Sequence, residues 1–145
     1  DRQKEVYEAV LRVEKASIEL LRPGVILSEY HIQVGELMTK ELLGLGLISK
    51  NDIENQNPLW PAYKKYFMHG TSHYLGLDVH DYGLWDGTPI KEGMVFTCEP
   101  GIYIPEEGIG IRIEDDIVIT SEGHINLTKH IPKEILDIEA SMAKM

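Results

Sequence analysis

Hydrophobic periodicity changes once along this chain, and that change limits its fold more than any other feature. Up to residue 46 the apolar residues recur at helical spacing, and between residues 75 and 120 they alternate. In residues 2–21, Val6, Val10, Val13, Ser17 and Leu20 form one stripe, widened by Leu11 and Leu21. Asp1 is placed to cap this helix and Arg22-Pro23-Gly24 to stop it. A second helix is predicted after Ser28 as N-cap. Its inner face carries Val34, Leu37, Met38, Leu42 and Leu45, and Gly44 and Gly46 end it. Charged residues are assigned to the outer faces of both helices, which makes them scaffold. Residues 49–67 read as an irregular connection with a helical turn near Tyr63–Phe67. Within it, Trp60, Tyr63, Tyr66 and Phe67 are read as packing residues.

Alternation predicts strands at Leu75–His80, Met94–Glu99, Ile102–Ile104, Gly110–Glu114 and Asp116–Thr120. Turn chemistry separates them at residues 85–89, 105–108 and 121–123. These connections are too short for crossover helices, so the strands are mostly antiparallel. Pro132 is placed in the first turn of a final short helix carrying Ile135, Ile138 and Met142. Two long helices, a run of strands and a short helix make an α+β fold.

Composition narrows the function classes. At 145 residues the chain is one domain's worth. Fourteen basic residues against 24 acidic ones give a formal charge of −10, with no basic cluster. Nucleic acid and anionic membrane surfaces both need a basic footprint and are excluded as expected partners. No apolar run approaches the about 18 residues needed to span a bilayer, and no signal-peptide pattern opens the chain. The single cysteine, Cys98, excludes an internal disulfide. The expectation is a soluble, cytoplasmic protein. The chain opens on Asp1 and not Met, so it is expected to begin inside a longer polypeptide.

The chemistry-bearing residues cluster. The stretch from His69 to Asp81 holds His69, His73, His80, Asp78 and Asp81, threaded with glycine. In the strand after it, Val95, Thr97 and Glu99 point one way and Phe96 and Cys98 the other. Further on, Arg112, Glu114 and Asp116 share a face opposite Ile111 and Ile113. Carboxylates in such apolar segments are costly to bury unpaired. Coordinating a divalent cation settles that cost, and so does pairing with Arg112; the residues alone leave both open. One imidazole with separated carboxylates (His73, Glu99, Glu114) suits Mn²⁺, Co²⁺, Fe²⁺ or Zn²⁺ in a catalytic site and matches no zinc-finger spacing. His31, His124 and His130 read as solvated or capping histidines. Cys98 reads as a buried strand cysteine with no base beside it.

The string His69-Gly70-Thr71-Ser72-His73-Tyr74-Leu75-Gly76-Leu77-Asp78-Val79-His80-Asp81 closely resembles the signature of Xaa-Pro aminopeptidases and prolidases, the proline-specific pita-bread metallopeptidases. Thr97-Cys98-Glu99-Pro100-Gly101-Ile102-Tyr103 and Gly110-Ile111-Arg112-Ile113-Glu114-Asp115-Asp116 resemble that family's two later motifs, in the same order. The likeness runs from Gln3 to Glu134. It implies a partial pita-bread fold with a curved, mostly antiparallel sheet. It implies His73, Glu99 and Glu114 as metal ligands, His69 and His80 lining the substrate pocket, and Arg112 orienting a ligand carboxylate. It also implies two divalent ions, manganese first and cobalt, zinc or iron after it, and proline-containing peptides as substrates. Ser72 points to the aminopeptidase branch over the prolidase (dipeptidase) branch.

One departure stands at the front. In the family, two aspartate ligands precede the helix that opens this chain, and none of the aspartates present occupies those places. Residues 1–145 are therefore expected to be the C-terminal portion of a catalytic domain, inactive in isolation. A non-catalytic peptide- or protein-binding module and a metal-independent relative resembling creatinase are the alternatives. Intact His73, Glu99 and Glu114 weigh against both. Uncovered apolar surface on helix 2–21 and the strands is expected to favour a homo-oligomer.

Overall fold

The computed structural model describes residues 1–143. Its first layer is helical. Helix α1 spans Arg2–Leu20 and α2 spans Leu27–Gly44, and the two pack together. Val6, Val10 and Val13 of α1 meet Val34, Met38 and Leu42 of α2 in the core, as the stripes require. Asp1 holds the N-cap position of α1 through its backbone carbonyl, with no side-chain bond. The start of α2 differs from expectation: Ile26 is the N-cap and Ser28 already lies inside the first turn. Its end is a Schellman motif. Gly46 N–H bonds the Leu43 carbonyl and Leu47 N–H the Leu42 carbonyl, with Gly46 at φ 71°.

The connection after α2 is more regular than its composition suggests. Ser49 and Asp52 form a reciprocal capping box that starts helix α3 at Lys50–Glu54. A 3₁₀ turn follows at Ala62–Lys65, slightly ahead of the predicted place. Tyr66 and Phe67 pack in the core, but Trp60 is half exposed with the Lys64 ammonium 5.7 Å above its ring.

The second layer is one long hairpin with a break at its middle. Strand β1 (Val95–Cys98) runs on into β2 (Gly101–Ile104), and β3 (Ile109–Arg112) runs on into β4 (Asp115–Ile119). Cys98 pairs with Asp115 on one side of the break and Gly101 with Arg112 on the other. That single register sets Glu99 across from Glu114 and Pro100 across from Ile113. Pro100 has no N–H to give the ladder, and its carbonyl accepts from Ile113 N–H at 3.4 Å. A further strand, β5 (His124–Asn126), completes the antiparallel order β1-β4-β5. Three residues are too few for alternation to register, and β5 was absent from the predicted strands. There His124 Nδ1 donates to the Leu21 carbonyl at the end of α1, a capping role.

The predicted strand at Leu75–His80 does not form. The ladder uses the residues before it: Glu99 N–H bonds Thr71 O, Thr97 N–H bonds His73 O, and Leu75 N–H bonds Val95 O. The chain then turns at Gly76, where a Cβ would collide with the Asp81 carboxylate. Leu77 and Val79 are exposed at 104% and 69%, so their alternation buries nothing. Helix α4 spans Ile135–Met142 with Glu134 as its N-cap, so Pro132 stands ahead of its first turn. Among the exposed large apolar side chains, five fall at residues 77–85 and none on α1, whose stripe is covered.

Helix α1 lies against β1, β2 and β3. Between the layers sits Glu14, 1% exposed, on the face that charge alone would have assigned to solvent. Position 14 follows Val10 by four residues and shares its stripe. Its carboxyl faces that of Asp115, which Lys133 Nζ holds at 2.6 Å and Asn126 Nδ2 at 2.6 Å. Burial first, then the hydrogen bond to Asp115 and after it the Asp115 charge, raise the Glu14 pKa to about 8. The hydrogen bonds around Asp115 outweigh its burial and hold it below the usual carboxylate range.

The two carboxyls act on stability with opposite sign. Glu14 keeps in the folded state a proton that the unfolded chain releases near its ordinary pKa, so its contribution is lost as pH rises to about 8. Asp115 contributes above the ordinary carboxylate pKa, and that contribution is lost as pH falls through its depressed value. Wild-type stability is expected to decline between about pH 5 and pH 8, by up to about 1.4 kcal/mol per pH unit. Glu14→Gln is expected to flatten that decline in urea unfolding at the two ends of the window. An equal slope in both proteins would place the buried proton elsewhere.

Candidate metal centre

Alternation along β1 and its partner segment divides core from site. Phe96 and Cys98 are buried against the helices, while Thr97 and Glu99 point to the opposite face together with His73. His73 Nε2 lies 3.1 Å from Glu99 Oε1, and Arg112 Nη1 lies 3.1 Å from Glu99 Oε2. Thr97 Oγ1 bridges the pair, accepting the His73 N–H at 3.2 Å and donating to Glu99 Oε1 at 3.3 Å. Of the sequence candidates, His73, Glu99 and Arg112 are thus in direct contact.

Glu114 stands across the hairpin from Glu99. Loss of water raises its pKa first, followed by the like charges of Glu99 and Asp116, with Arg112 and His73 opposing. Facing like charges on a hairpin are destabilising unless a cation lies between or beside them. His80 is exposed on the turn after the ladder, its ring 4.3 Å from that of His73.

His69 belongs to a second chain of contacts on the same face. Its Nδ1 is 2.7 Å from the Gly70 carbonyl, an acceptor, so Nδ1 carries the proton and Nε2 the lone pair. The Tyr103 hydroxyl donates to Nε2 at 2.9 Å and accepts from Arg112 Nε at 2.8 Å. Burial, seconded by the Arg112 charge, lowers the His69 pKa and keeps the ring neutral, against the Gly70 bond and the Glu99 charge. Tyr103 and Thr97 were not among the sequence candidates. The signal was there: residues 97, 99, 101 and 103 fall on one parity of a nearly continuous strand.

A divalent ion fits these donors. The Nδ1 of His73 faces the Tyr74 carbonyl at 2.9 Å, so in the neutral ring Nε2 presents a lone pair to a carboxylate oxygen. A cation can take the place of a proton between that nitrogen and the carboxylate, and a nitrogen with carboxylate oxygens is a donor set for catalytic transition metals. Among the described residues, no group of three or more His, Cys, Asp or Glu side chains is arranged to hold a metal by itself.

Helices over a curved antiparallel hairpin, with this face of histidine and glutamate, are part of a pita-bread metallopeptidase fold. The model for metallopeptidase family M24 matches residues 1–121. The Xaa-Pro aminopeptidase of Haemophilus influenzae is 44% identical over 151 residues, covering 97% of this chain and 35% of that protein. The Xaa-Pro aminopeptidase of Escherichia coli is 46% identical over 154 residues, covering 97% of this chain and 34% of that protein. Among solved structures, E. coli aminopeptidase P with the inhibitor Pro-Leu superposes with a TM-score of 0.87 at 42% identity, covering 99% of this chain and 35% of that one. A zinc-substituted form of that enzyme with product gives 0.88 at the same identity and coverage. The chain belongs to metallopeptidase family M24. It spans about a third of the length of the curated relatives it matches.

The contact between Tyr103 and His69 yields a measurable outcome. A hydroxyl donating to Nε2 favours the neutral ring. Tyr103→Phe is therefore expected to move the His69 titration upward toward its ordinary value, followed by NMR of the imidazole C–H signals. An unchanged midpoint would show that the Tyr103 proton is directed elsewhere.

Proposed function

We propose that residues 1–145 are the C-terminal portion of the catalytic domain of a dinuclear-metal Xaa-Pro aminopeptidase, which removes the N-terminal residue from peptides with proline second. The observation that carries this reading is the contact of His73 Nε2 with Glu99 Oε1, on a hairpin whose register sets Glu114 opposite Glu99. The names of the relatives favour the aminopeptidase over the dipeptidase. His73, Glu99 and Glu114 would hold the metal, with two aspartates upstream of Asp1 completing the set. When bound, the divalent ions, manganese first among the candidates, supply Lewis-acid chemistry for hydrolysis of the peptide bond.

The chain's own groups have separable tasks. Arg112 occupies Glu99 Oε2 and so turns Oε1 toward His73. The His73 Nδ1–H bond to the Tyr74 carbonyl fixes the ring with Nε2 forward. His69 is neutral and engaged at both nitrogens, so it can accept from a substrate amide N–H at Nε2 only in exchange for the Tyr103 hydroxyl. Exposed His80, against the His73 ring, is placed to exchange a proton with solvent. Leu77, Val79 and Trp85 form the apolar surface that an upstream half-domain or a second copy in a homo-oligomer would cover. The lone, buried thiol of Cys98, held far above its ordinary pKa by burial, suits a reducing, cytoplasmic setting. No helix among the described residues is long and apolar enough to cross a membrane.

In the full-length enzyme, Glu99→Ala and Glu114→Ala are each expected to abolish turnover of an Xaa-Pro peptide. Near-normal activity in either removes that residue from the ligand set. The purified 145-residue chain is expected to bind manganese weakly and to show no turnover. Hydrolysis by that chain, free of full-length enzyme, would mean that the upstream ligands are dispensable.

A further inference from the structure

Behind the metal face, one hydroxyl touches the neighbours of both principal ligand candidates. Tyr30 of α2 is fully buried, and its hydroxyl accepts from Ser72 Oγ at 3.0 Å. The same oxygen lies 3.6 Å from Cys98 Sγ, and that sulfur lies 3.9 Å from the Glu14 carbonyl. The three donors can therefore point one way, from Ser72 to Tyr30 to Cys98 to Glu14. Ser72 immediately precedes His73, and Cys98 immediately precedes Glu99. Successive side chains of extended segments leave opposite faces. Ser72 and Cys98 thus face the helices while His73 and Glu99 face the site.

We propose that Tyr30 is a positioning residue for the metal centre, its hydroxyl pinning the segments that carry His73 and Glu99 at one distance from α2. The inference rests on the reading of the parent protein as a metallopeptidase and adds to it a residue on the opposite side of the sheet. The backbone bonds Thr97 N–H to His73 O and Glu99 N–H to Thr71 O fix how the segments pair with each other. They do not fix how far the pair stands from the helical layer; the Tyr30 hydroxyl does so together with the buried core around it. The adjacent residue of α2 reinforces this, since the His31 ring closes on Gly70, where a Cβ would come within 3.4 Å of Cε1. Without the Tyr30 hydroxyl, Ser72 Oγ is a buried donor whose acceptor is gone, and the loop must shift to satisfy it. The shift is delivered to His73, one residue away.

The test uses the full-length protein containing this chain, with Tyr30→Phe, Ser72→Ala and the double variant. Tyr30→Phe keeps the ring in the core, and Ser72→Ala breaks the same bond from the loop if the first variant folds poorly. Cobalt(II) binding to metal-free protein is titrated through its visible absorption, beside kcat and KM on an Xaa-Pro peptide and thermal unfolding. Each single variant is expected to lose about 10- to 100-fold in cobalt affinity and in kcat, with KM unchanged and an altered cobalt spectrum. The double variant is expected to be no worse than either single one. Variants that lower the unfolding temperature yet keep wild-type cobalt affinity, spectrum and kcat overturn the proposal and leave the function standing. An unmodified protein that neither binds cobalt nor cleaves the peptide overturns both.

Discussion

Everything chemical in this chain depends on two glutamates facing each other across a break in a hairpin. The pairings on either side of the break belong to one register, so the interruption at Pro100 alters hydrogen bonding without changing which side chains meet. Facing carboxylates would push such a hairpin apart. Arg112 relieves part of that repulsion by holding one oxygen of Glu99, and the other oxygen turns to His73. The arrangement is a partly compensated concentration of negative charge, which a bound cation would relieve.

The sheet separates two kinds of polar group. Site-facing groups are held through short contacts to one another: Thr97 to Glu99, Arg112 to Tyr103, Tyr103 to His69. Helix-facing groups form two buried clusters, one at Tyr30 and one at Glu14 and Asp115. The second ties the C-terminal loop to α1 through Lys133. Both clusters sit directly behind the proposed ligand positions, so the scaffold supports that face through polar contacts as well as apolar packing.

Much of this was legible in the sequence where one physical rule dominates. The helical stripes, the alternation at Val95–Glu99 and the shared face of Arg112 and Glu114 all follow from burial, and the structure keeps them. Reading failed where a second effect competes. Alternation at Leu75–His80 found no partner strand, and local turns won. Glu14 went unnamed among the charged residues of α1, although its place in the stripe buries it beside Asp115. The Ser49–Asp52 capping box was hidden in a segment whose asparagines and prolines suggested no helix. Tyr30 and Ser72 could not be joined at all, since their contact spans 42 positions and depends on how α2 lies over the sheet.

The unbroken register also governs how such a segment can change over evolutionary time. Between Val95 and Val118, substitutions that respect the two faces are tolerable. A single residue inserted or deleted within Val95–Glu99 or Glu114–Val118 is not, because it would turn Glu99 or Glu114 to the helix side and separate the pair. These strand segments are therefore free to drift in composition but fixed in length. The exposed loop beyond Asp81, residues 82–88, carries no ladder pairing and is the place where length can vary.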